Sequence, residues 1–435
     1  MKFYNREKEI AMLQKVEQQS RSSAQMTFVV GRRRIGKTAL LVRTFPDALY
    51  FFAAKKSETL LCEEYITEIQ RKLSVTIYGE MKTFKDIFAY LMDLSQNRHF
   101  TLIIDEFQEF LSINPSIYSD MQHIWDLQKE RSQVNLILSG SVYSLMNKIF
   151  ENSKEPLFGR ATARLHLKAF DTQTLKEILS DYKPDYTKED LLALYLFTGG
   201  VAKYVELLMS AQVFDYESII DEILSENSLF LDEGKNILID EFGKDYGNYF
   251  SILTLIASSK TSRVEMEEIL SINLGGFLDR LENDFGLITK NRPIFAKPTS
   301  RSVKYKINDN FLNFWFRFIY KYRGAVETES FGYLKDIILR DYKTYSGIIL
   351  ERYFKTKIAK EENLSHIGSY WESGNENEID IVAVNEYEKL AIIAEVKRQS
   401  DRISLTLLQN KAKNLLRSEL AGYKIEYKAL SINEM

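Results

Sequence analysis

Short apolar runs alternate with amphipathic stretches over the first third of the chain. Between the runs, apolar positions recur at helical spacing, for example in segments 38–45 and 118–129. Strands that alternate with helices predict a parallel sheet with helices on both faces. The apolar runs, which we predict to be buried strands, cover residues 26–30, 48–53, 101–104 and 134–138.

The pattern becomes mainly helical after residue 165, which predicts a helical lid that reaches residue 240. Three further helical stretches, 249–257, 262–270 and 274–288, precede a polar loop and a strand that ends near residue 307. Three short helices followed by a β-wing are the layout of a winged helix, a variant of the helix-turn-helix.

The predicted third helix of this module is acidic on balance, whereas a DNA-reading helix presents basic and amide side chains. The wing is more basic, so it allows contacts to phosphates without base recognition. A structural or regulatory connector is the alternative role for the module. The basic residues of the wing are Lys290, Arg292, Lys297, Arg301, Lys304 and Lys306.

Composition narrows the class of protein. With 45% hydrophobic and 27% charged residues, the 435-residue chain has the balance of a folded globular protein. The net charge of −3 provides no global basic field, so any contact with nucleic acid must be local. One cysteine and four histidines exclude an intramolecular disulfide and disfavour a structural zinc site. Since no signal-peptide pattern and no long apolar span are present, we expect a cytoplasmic protein without membrane contact.

The segment from Gly31 to Thr38 reads GRRRIGKT, a spacing typical of a phosphate-binding loop. It lies between a predicted strand and a predicted helix, as such a loop requires. The glycines let the backbone turn its N–H groups onto phosphate oxygens, and the helix adds the positive end of its dipole. The three arginines at 32–34 are expected to point outward, toward solvent or a neighbouring element. The nucleotide-binding residues predicted here are Gly31, Gly36, Lys37, Thr38 and Ala39, with Thr38 also a ligand of Mg²⁺.

An acidic pair, Asp105 and Glu106, follows the predicted strand 101–104. Ligands of open α/β sheets bind at the carboxyl ends of the strands. Asp105 can hold Mg²⁺ there through its water shell, and Glu106 can orient the attacking water as a general base. At the end of the next strand, Ser139 is assigned to contact the γ-phosphate or the water, with Ser141 as an equal alternative.

A β-hairpin is predicted near the end of the chain, in segment 379–397. A four-residue turn pairs Asn385 with Leu390, and counting back from that pair places Asp380 opposite Glu395. Directly opposed side chains share one face of a hairpin, with Cβ atoms about 5 Å apart. The two carboxylates are therefore expected to converge.

Lys397 lies two residues beyond Glu395 and shares the face of the two carboxylates. Two carboxylates and a lysine are what a metal-dependent phosphodiesterase needs to hold Mg²⁺ or Mn²⁺ and to stabilise charge. The alternative interpretation is an ordinary hairpin that carries the same three side chains on a solvent-exposed face.

These features resemble the archaeal-type P-loop ATPases of the AAA+/STAND branch that carry a C-terminal PD-(D/E)XK nuclease-like domain. The resemblance implies an α/β fold: a P-loop NTPase with a parallel sheet and a helical lid, then a winged-helix domain and an α/β restriction-endonuclease-like domain. The implied boundaries are 1–165 for the ATPase core, 166–240 for the lid, 241–328 for the winged helix and 329–435 for the nuclease-like domain. The resembling segments are 3–10, 31–38, 102–110, 136–141, 157–160 and 198–208, with 379–380 and 395–397 for the nuclease-like pattern.

Further roles follow from the resemblance alone. It implies that Asn5 and Arg6 close over the adenine of ATP. It implies that Arg160 senses or stabilises the γ-phosphate, either in its own chain or in a neighbouring one.

The same resemblance implies a third acidic ligand on the helix that precedes the hairpin. Glu351 fits this role, with Ile348, Phe354 and Ile358 as the apolar side of that helix. Gln409, on the helix after the hairpin, is a further candidate contact. The predicted metal ligands of this site are Glu351, Asp380 and Glu395, and Lys397 is the predicted catalytic residue.

Two functions follow from these patterns. The first is an ATP-driven switch that controls a nuclease acting on DNA or RNA through the C-terminal domain and the wing. The second is an ATP-dependent signalling or scaffold protein whose C-terminal domain is a non-catalytic recognition module. Both require ATP and Mg²⁺, and both are compatible with a protein partner or a homo-oligomer. The acidic third helix disfavours a transcription regulator.

Overall fold

The computed structural model describes residues 1–372, 374 and 376–435. They form two compact units, Lys2–Ala169 and Phe170–Met435. Within the described part, no helix has both the length and the apolar character needed to cross a lipid bilayer.

Five parallel strands form the sheet of the first unit, in the order β2-β3-β4-β1-β5. The parallel sheet predicted from the alternating pattern is therefore confirmed, and the pattern missed only the short edge strand β5. The strands are β1 (Gln25–Val30), β2 (Leu49–Phe52), β3 (Phe100–Asp105), β4 (Val134–Gly140) and β5 (Ala163–His166).

Helices cover both faces of this sheet. Successive strand residues point to opposite faces, so Phe28 and Val30 enter one apolar core while Val29 enters the other. Both cores are made of fully buried side chains, which explains why the strands contain so few polar residues. The helices are α1 (Glu7–Ser20), α2 (Lys37–Thr44), α3 (Glu58–Leu73), α4 (Phe84–Leu94), α5 (Phe110–Ile113), α6 (Ser116–Gln128) and α7 (Tyr143–Glu151).

Helices dominate the first part of the second unit. Helix α9 is buried along nearly its whole length, and a capping box between Thr187 and Asp190 fixes its start. The helices are α8 (Thr172–Tyr182), α9 (Lys188–Thr198), α10 (Ala202–Ala211), α11 (Tyr216–Ile223), α12 (Leu229–Phe242), α13 (Tyr246–Ala257), α14 (Arg263–Leu270) and α15 (Gly275–Asn283).

An antiparallel two-stranded hairpin follows α15, with strands β6 (Ile288–Asn291) and β7 (Lys304–Ile307). A densely aromatic and largely buried segment comes next and forms α16 (Asn310–Phe314) and a π-helical turn at Trp315–Tyr320. Helix α17 (Arg323–Glu327), which has no buried residue, follows it.

A four-stranded sheet and one long helix complete the second unit. The strand order is β11-β10-β9-β8, and β9 and β10 form the hairpin predicted from the sequence, with Asn385 paired to Leu390. The elements are α18 (Phe331–Glu361), β8 (His366–Tyr370), β9 (Ile379–Asn385), β10 (Leu390–Val396), α19 (Leu405–Lys411), α20 (Lys413–Arg417) and β11 (Lys424–Leu430).

Helix α18 carries Glu351, and its apolar side differs from the one predicted. Phe354 and Ile358 are buried, but Ile348 is 38% exposed. The reason is that Ile348 lies beside Glu351 on the wall of an open cavity, described below, rather than against the sheet.

A pair of glycines after α9 offers a matched test of packing. Gly199 and Gly200 both have positive φ, 58° and 76°. A Cβ at Gly200 would lie 2.2 Å from the Phe170 carbonyl oxygen, whereas the nearest atom to a Cβ at Gly199 is 3.5 Å away. We expect Gly200→Ala to lower the free energy of unfolding by about 1–3 kcal/mol more than Gly199→Ala, because only the first also overpacks. Equal urea midpoints for the two variants would contradict this close contact.

Candidate functional site

The phosphate-binding loop joins β1 to α2, and its shape is fixed by close packing. A Cβ at Gly31 would lie 2.9 Å from the Leu167 carbonyl oxygen, and Gly36 has a φ of 95°. Lys37 is buried, and its Nζ donates to the Gly31 and Arg32 carbonyls over 2.6 and 3.3 Å. Burial lowers the pKa of Lys37, and the charges of Glu106 and Asp105 oppose that shift. The loop therefore encloses a cation at the point where phosphates are expected.

The three arginines of the loop have different surroundings, and Arg33 contacts a neighbouring element, as the prediction allowed. Only Arg34 is exposed, and Arg33 Nε donates to Ser141 Oγ over 3.4 Å. The guanidinium nitrogens of Arg32 are shielded from solvent. The reason is the tight turn of the loop, which directs two of the three side chains into the protein.

Asp105 collects three hydrogen bonds at the end of β3. Its Oδ2 accepts from Thr38 Oγ1 over 2.8 Å and from the Tyr50 hydroxyl over 2.7 Å. Its Oδ1 accepts from the Glu106 N–H over 3.0 Å. The structure thus brings together Thr38 and Asp105, the two predicted ligands of Mg²⁺.

Tyr50 was missed by sequence reasoning. Burial and the neighbouring charge of Asp105 raise the pKa of Tyr50, so its hydroxyl remains a protonated donor. In the sequence, Tyr50 is distinguished only as a hydroxyl-bearing residue in the apolar strand β2, which pairs with β3. A contact with Asp105 cannot be predicted from this feature until the strand order is known.

Glu106 is held by side chains from the next strand end. It has a left-handed φ of 54°, and its Oε2 accepts from Ser141 Oγ over 2.7 Å and from Gln108 Nε2 over 2.6 Å. Ser139, the residue predicted for this position, is fully buried, and its Oγ has no hydrogen-bond partner among the described residues. The geometry therefore favours the alternative, Ser141, because Ser139 lies within β4 while Ser141 follows its end.

Asn5 and Arg6 lie near the phosphate loop. Both have left-handed backbone, with φ of 56° and 85°, and the Arg6 N–H donates to Asn5 Oδ1 over 2.6 Å. The buried Arg6 guanidinium donates to the Lys168 carbonyl over 2.7 Å. Residue 167, just before it, is the one that packs on Gly31. The segment is thus anchored at the edge of the sheet where the loop lies.

Arg160 lies near the beginning of β1, at the opposite end of that strand from the phosphate loop. Strand β5 is parallel to β1, and Thr162, just before β5, donates its N–H to the Met26 carbonyl near the beginning of β1. The loop follows the other end of this six-residue strand, at a rise of about 3.3 Å per residue. The guanidinium of Arg160 pairs with Asp126 over 2.8 Å. Of the two alternatives for Arg160, the strand direction disfavours action on a nucleotide bound in its own chain.

The second predicted cluster lies at the paired ends of β9 and β10. Lys397 Nζ lies 3.0 Å from Glu395 Oε1 and 3.6 Å from Asp380 Oδ2. Asp380 Oδ2 also accepts the Val396 N–H over 2.8 Å. Lys411 of α19 donates to both oxygens of Glu395 over 3.1 Å. The structure thus brings together Asp380, Glu395 and Lys397. The residue of α19 that contacts this cluster is Lys411, whereas the predicted contact was Gln409.

Burial controls the ionisation of this cluster. Burial, with the negative charge of Asp380, raises the pKa of Glu351 to about 7. Burial also raises the pKa of Asp380, although the Val396 N–H and Lys397 oppose it. Burial alone would lower the pKa of Lys397, but Asp380 and Glu395 raise it overall. Glu351 and Asp380 therefore lie close enough to disfavour the joint ionised state.

The carboxylates are not arranged as a finished metal cage. Among the described residues, no three His, Cys, Asp or Glu side chains are grouped so that they could hold one metal ion. The physical reason is visible at Glu395, whose oxygens are engaged by Lys397 and Lys411.

Two cavities adjoin this cluster, of about 610 Å³ and about 240 Å³, and Ile348 and Glu351 line both. Each also carries positive charge. The larger is lined by Lys343, Lys397, Arg398 and Arg402, and the smaller by Lys306, Arg352 and Lys355 together with Asp380.

Comparison with known proteins agrees with the geometry of the first site. Residues 3–208 match a family described as an ATPase domain found predominantly in archaea. Over this segment the chain is therefore similar to an ATPase domain, in agreement with its phosphate-binding loop. Residues 315–414 match a second family, described as archaeal and bacterial proteins of unknown function.

Two similar proteins extend the comparison beyond the ATPase domain. An uncharacterized protein of Methanocaldococcus jannaschii is 27% identical over 406 residues, which cover 91% of this chain and 87% of that protein. A Walker-type ATPase of Pyrococcus abyssi has a similar structure, with a TM-score of 0.56, 17% identity and coverage of 72% of this chain and 96% of that one. The second likeness concerns the fold alone.

The two serines at the end of β4 give a test of the ATPase domain. We expect Ser141→Ala to lower kcat for ATP hydrolysis about tenfold, because loss of a hydrogen bond to a charged group is worth about 1.4 kcal/mol or more. Ser139→Ala is the matched control and should stay within about twofold of wild type. Steady-state phosphate release measures both. A larger loss in Ser139→Ala than in Ser141→Ala would reverse the assignment.

Proposed function

We propose that this chain is an Mg²⁺-dependent ATPase whose nucleotide cycle controls a nuclease-like C-terminal domain acting on nucleic acid. The observation that carries the proposal is the meeting of Asp380, Glu395 and Lys397 beside cation-lined cavities, in a chain with an ATPase domain. Metal-dependent phosphodiester hydrolysis uses carboxylates to hold a divalent cation, a group that stabilises charge, and cationic surroundings for the nucleic-acid backbone.

In the ATPase domain, Lys37 binds the β- and γ-phosphates. Thr38 and Asp105, joined at 2.8 Å, offer the hard oxygen ligands that Mg²⁺ prefers. When bound, Mg²⁺ neutralises charge on the phosphates. Glu106 orients the attacking water and accepts its proton, and the hydrogen bond from Ser141 fixes the direction of that carboxylate.

Arg160 is assigned to a nucleotide held by a neighbouring copy of the chain. This assignment is supported by its place at the sheet edge opposite to its own phosphate loop. It requires a homo-oligomer, at least while ATP is hydrolysed. The exposed ion pair with Asp126 would have to open, which costs little because a surface pair contributes about 0–1 kcal/mol.

In the C-terminal domain, Glu351 and Asp380 are the residues assigned to hold Mg²⁺ or Mn²⁺. Glu395 would become the third ligand only when its contacts with Lys397 and Lys411 open. The fit is supported by the raised pKa values of Glu351 and Asp380, since a cation relieves the repulsion and desolvation that raise them. Lys397 stabilises negative charge on the phosphate under attack. The bound cation supplies an activated water.

We keep the boundaries 1–165, 166–240, 241–328 and 329–435 for the ATPase core, the lid, the winged-helix-like module and the nuclease-like domain. The module formed by α13–α15 and the β6-β7 hairpin is assigned to the connector role, with a wing directed at the nuclease-like site. This is supported by the Ile294 N–H, which donates to the Ser369 carbonyl over 2.8 Å. DNA or RNA is the proposed polymer, in the cytoplasm.

One observation favours a second function, in which the C-terminal domain recognises a partner without cleaving it. Lys411 neutralises Glu395 by contacting both of its oxygens. In this form the chain is an ATP-dependent signalling or scaffold protein. The two functions differ in whether a divalent cation displaces the lysines from Glu395.

Lys37→Ala tests the ATPase assignment. We expect at least tenfold weaker binding of Mg-ATP, about 1.4 kcal/mol or more, because the variant removes the cation enclosed by the loop. Isothermal titration calorimetry measures the affinity. Lys85→Ala, an exposed lysine of the same unit, is the control. An unchanged affinity in Lys37→Ala would remove the basis for the site.

Cleavage of linear, circular and single-stranded DNA and of RNA tests the nuclease assignment. With Mg²⁺ or Mn²⁺, with and without ATP, Asp380→Ala and Lys397→Ala should each lose about 100-fold or more, the scale for loss of a charge-stabilising or acid–base group. Glu426→Ala on the neighbouring strand β11 is the matched control. If wild type cuts no substrate while it hydrolyses ATP, the recognition function replaces the nuclease.

A further inference from the structure

The smaller of the two cavities beside Glu351 is lined by more cationic side chains than carboxylates. Lys306, Arg352 and Lys355 line it, opposite Glu351 and Asp380. The Arg352 guanidinium donates to the carbonyls of Ile307 and Asn308 and to Asn310 Oδ1. Since these acceptors are neutral, they orient the guanidinium without cancelling its charge.

Lys355 is held in the same way. Its Nζ donates to the Ser369 hydroxyl over 3.0 Å, again a neutral partner. Burial lowers the pKa of Lys355 to about 8, and Lys306 adds to that shift. Arg352 also lowers this pKa, whereas the charges of Glu351 and Asp380 oppose the shift. Because three cationic side chains outnumber two carboxylates in the lining, an anion that enters the pocket is attracted to it.

The size and the lining restrict that anion. At about 240 Å³, the cavity is smaller than the roughly 300–1,000 Å³ that drug-sized ligands occupy. Thr289, Asn291 and Asn308 add hydroxyl and amide groups to the lysines and the arginine. Such a set of donors suits the oxygens of one phosphate group.

The pocket also lies on a continuous face of α18 that lines both cavities. Lys343, Gly347, Glu351 and Lys355 recur every four residues and therefore lie on one face of α18. Lys343 and Gly347 line the larger cavity, Lys355 lines the smaller one, and Glu351 lines both. At 1.5 Å per residue this stripe is about 18 Å long, enough for several phosphates of one strand.

We propose that the pocket of Lys306, Arg352 and Lys355 is a phosphate-binding subsite that holds the backbone of a nucleic-acid strand beside the carboxylates. This deepens the proposed function and rests on its assignment of nucleic acid to the second unit. The β6-β7 hairpin supplies Lys306, so the middle module and the C-terminal sheet build one binding groove together.

Binding without cleavage tests the subsite. Fluorescence anisotropy of the full-length protein with a fluorescein-labelled single-stranded DNA, in EDTA, gives Kd at a series of NaCl concentrations. For a single strand, each phosphate contact contributes about −0.7 to the slope of log K against log salt. We expect Lys355→Gln and Lys306→Gln each to weaken binding about five- to tenfold and to make the slope shallower by about 0.7.

The controls separate charge from folding. Lys428→Gln, on β11 and outside the cavity, should bind like wild type. Lys355→Arg should restore the slope because it retains the charge. If Lys355→Gln has an altered thermal melting curve, the result for Lys306→Gln decides. A DNA with a 5′-phosphate, compared with one without, distinguishes a terminal phosphate from an internal diester.

Both kinds of phosphate support the subsite, whereas unchanged slopes in Lys355→Gln and Lys306→Gln would overturn it, as would absence of binding by wild type. The outcome is distinct from that of the cleavage assay. Wild type that binds with the expected slope but never cleaves keeps the subsite and removes the nuclease. Wild type that cleaves while both variants bind normally does the reverse.

Discussion

The parallel alignment of β1, β3 and β4 is the constraint on which the nucleotide site depends. Val30 is paired with Gly140 and Ile104 with Leu138, so the three strands end at one edge of the sheet. The phosphate loop, the acidic pair and Ser141 each follow one of these ends. Their side chains then meet without any further adjustment of the backbone. The bond from Ser141 to Glu106 joins the ends of the neighbouring strands β4 and β3, and the bond from Thr38 to Asp105 links the segments after β1 and β3 across the end of β4.

The same constraint explains which residues could be predicted from the sequence. The phosphate loop is a local pattern, since glycine spacing and flanking elements are all within about twenty residues, and the β9-β10 register follows from one turn. The place of Arg160 depends on whether β5 is parallel or antiparallel to β1, which no nearby residue encodes. Tyr50 depends on the order of strands, and Lys411 on the packing of α19. These contacts join residues that are far apart in the sequence, so periodicity and spacing carry no information about them.

The carboxylate cluster is held at a cost to stability. Burial raises the pKa of both Glu351 and Asp380, which means that ionisation of the two groups works against the folded state. A chain selected for stability alone would replace one of them, because apolar or singly charged alternatives are commonly more stable in such positions. The negative charges of the carboxylates are also neutralised unevenly, because two lysines contact Glu395 while Glu351 faces open cavities. Perturbed groups of this kind, gathered beside a cleft, are characteristic of functional sites.

The boundary between the two compact units does not coincide with the end of the ATPase family match. That match continues to residue 208 and includes α9, whereas the first unit ends at Ala169. Within the second unit, Glu189 of α9 accepts from Arg398 over 2.5 Å and from the Tyr342 hydroxyl over 2.7 Å. Arg398 directly follows Lys397, so a movement of α9 must either break this pairing or displace the strand end that carries Lys397. Because removing one partner of a partly buried charge pair leaves the other desolvated, the pairing gives α9 and the carboxylate cluster a shared free energy. A segment matched to the ATPase family thus has a direct physical contact with the site proposed for nucleic acid.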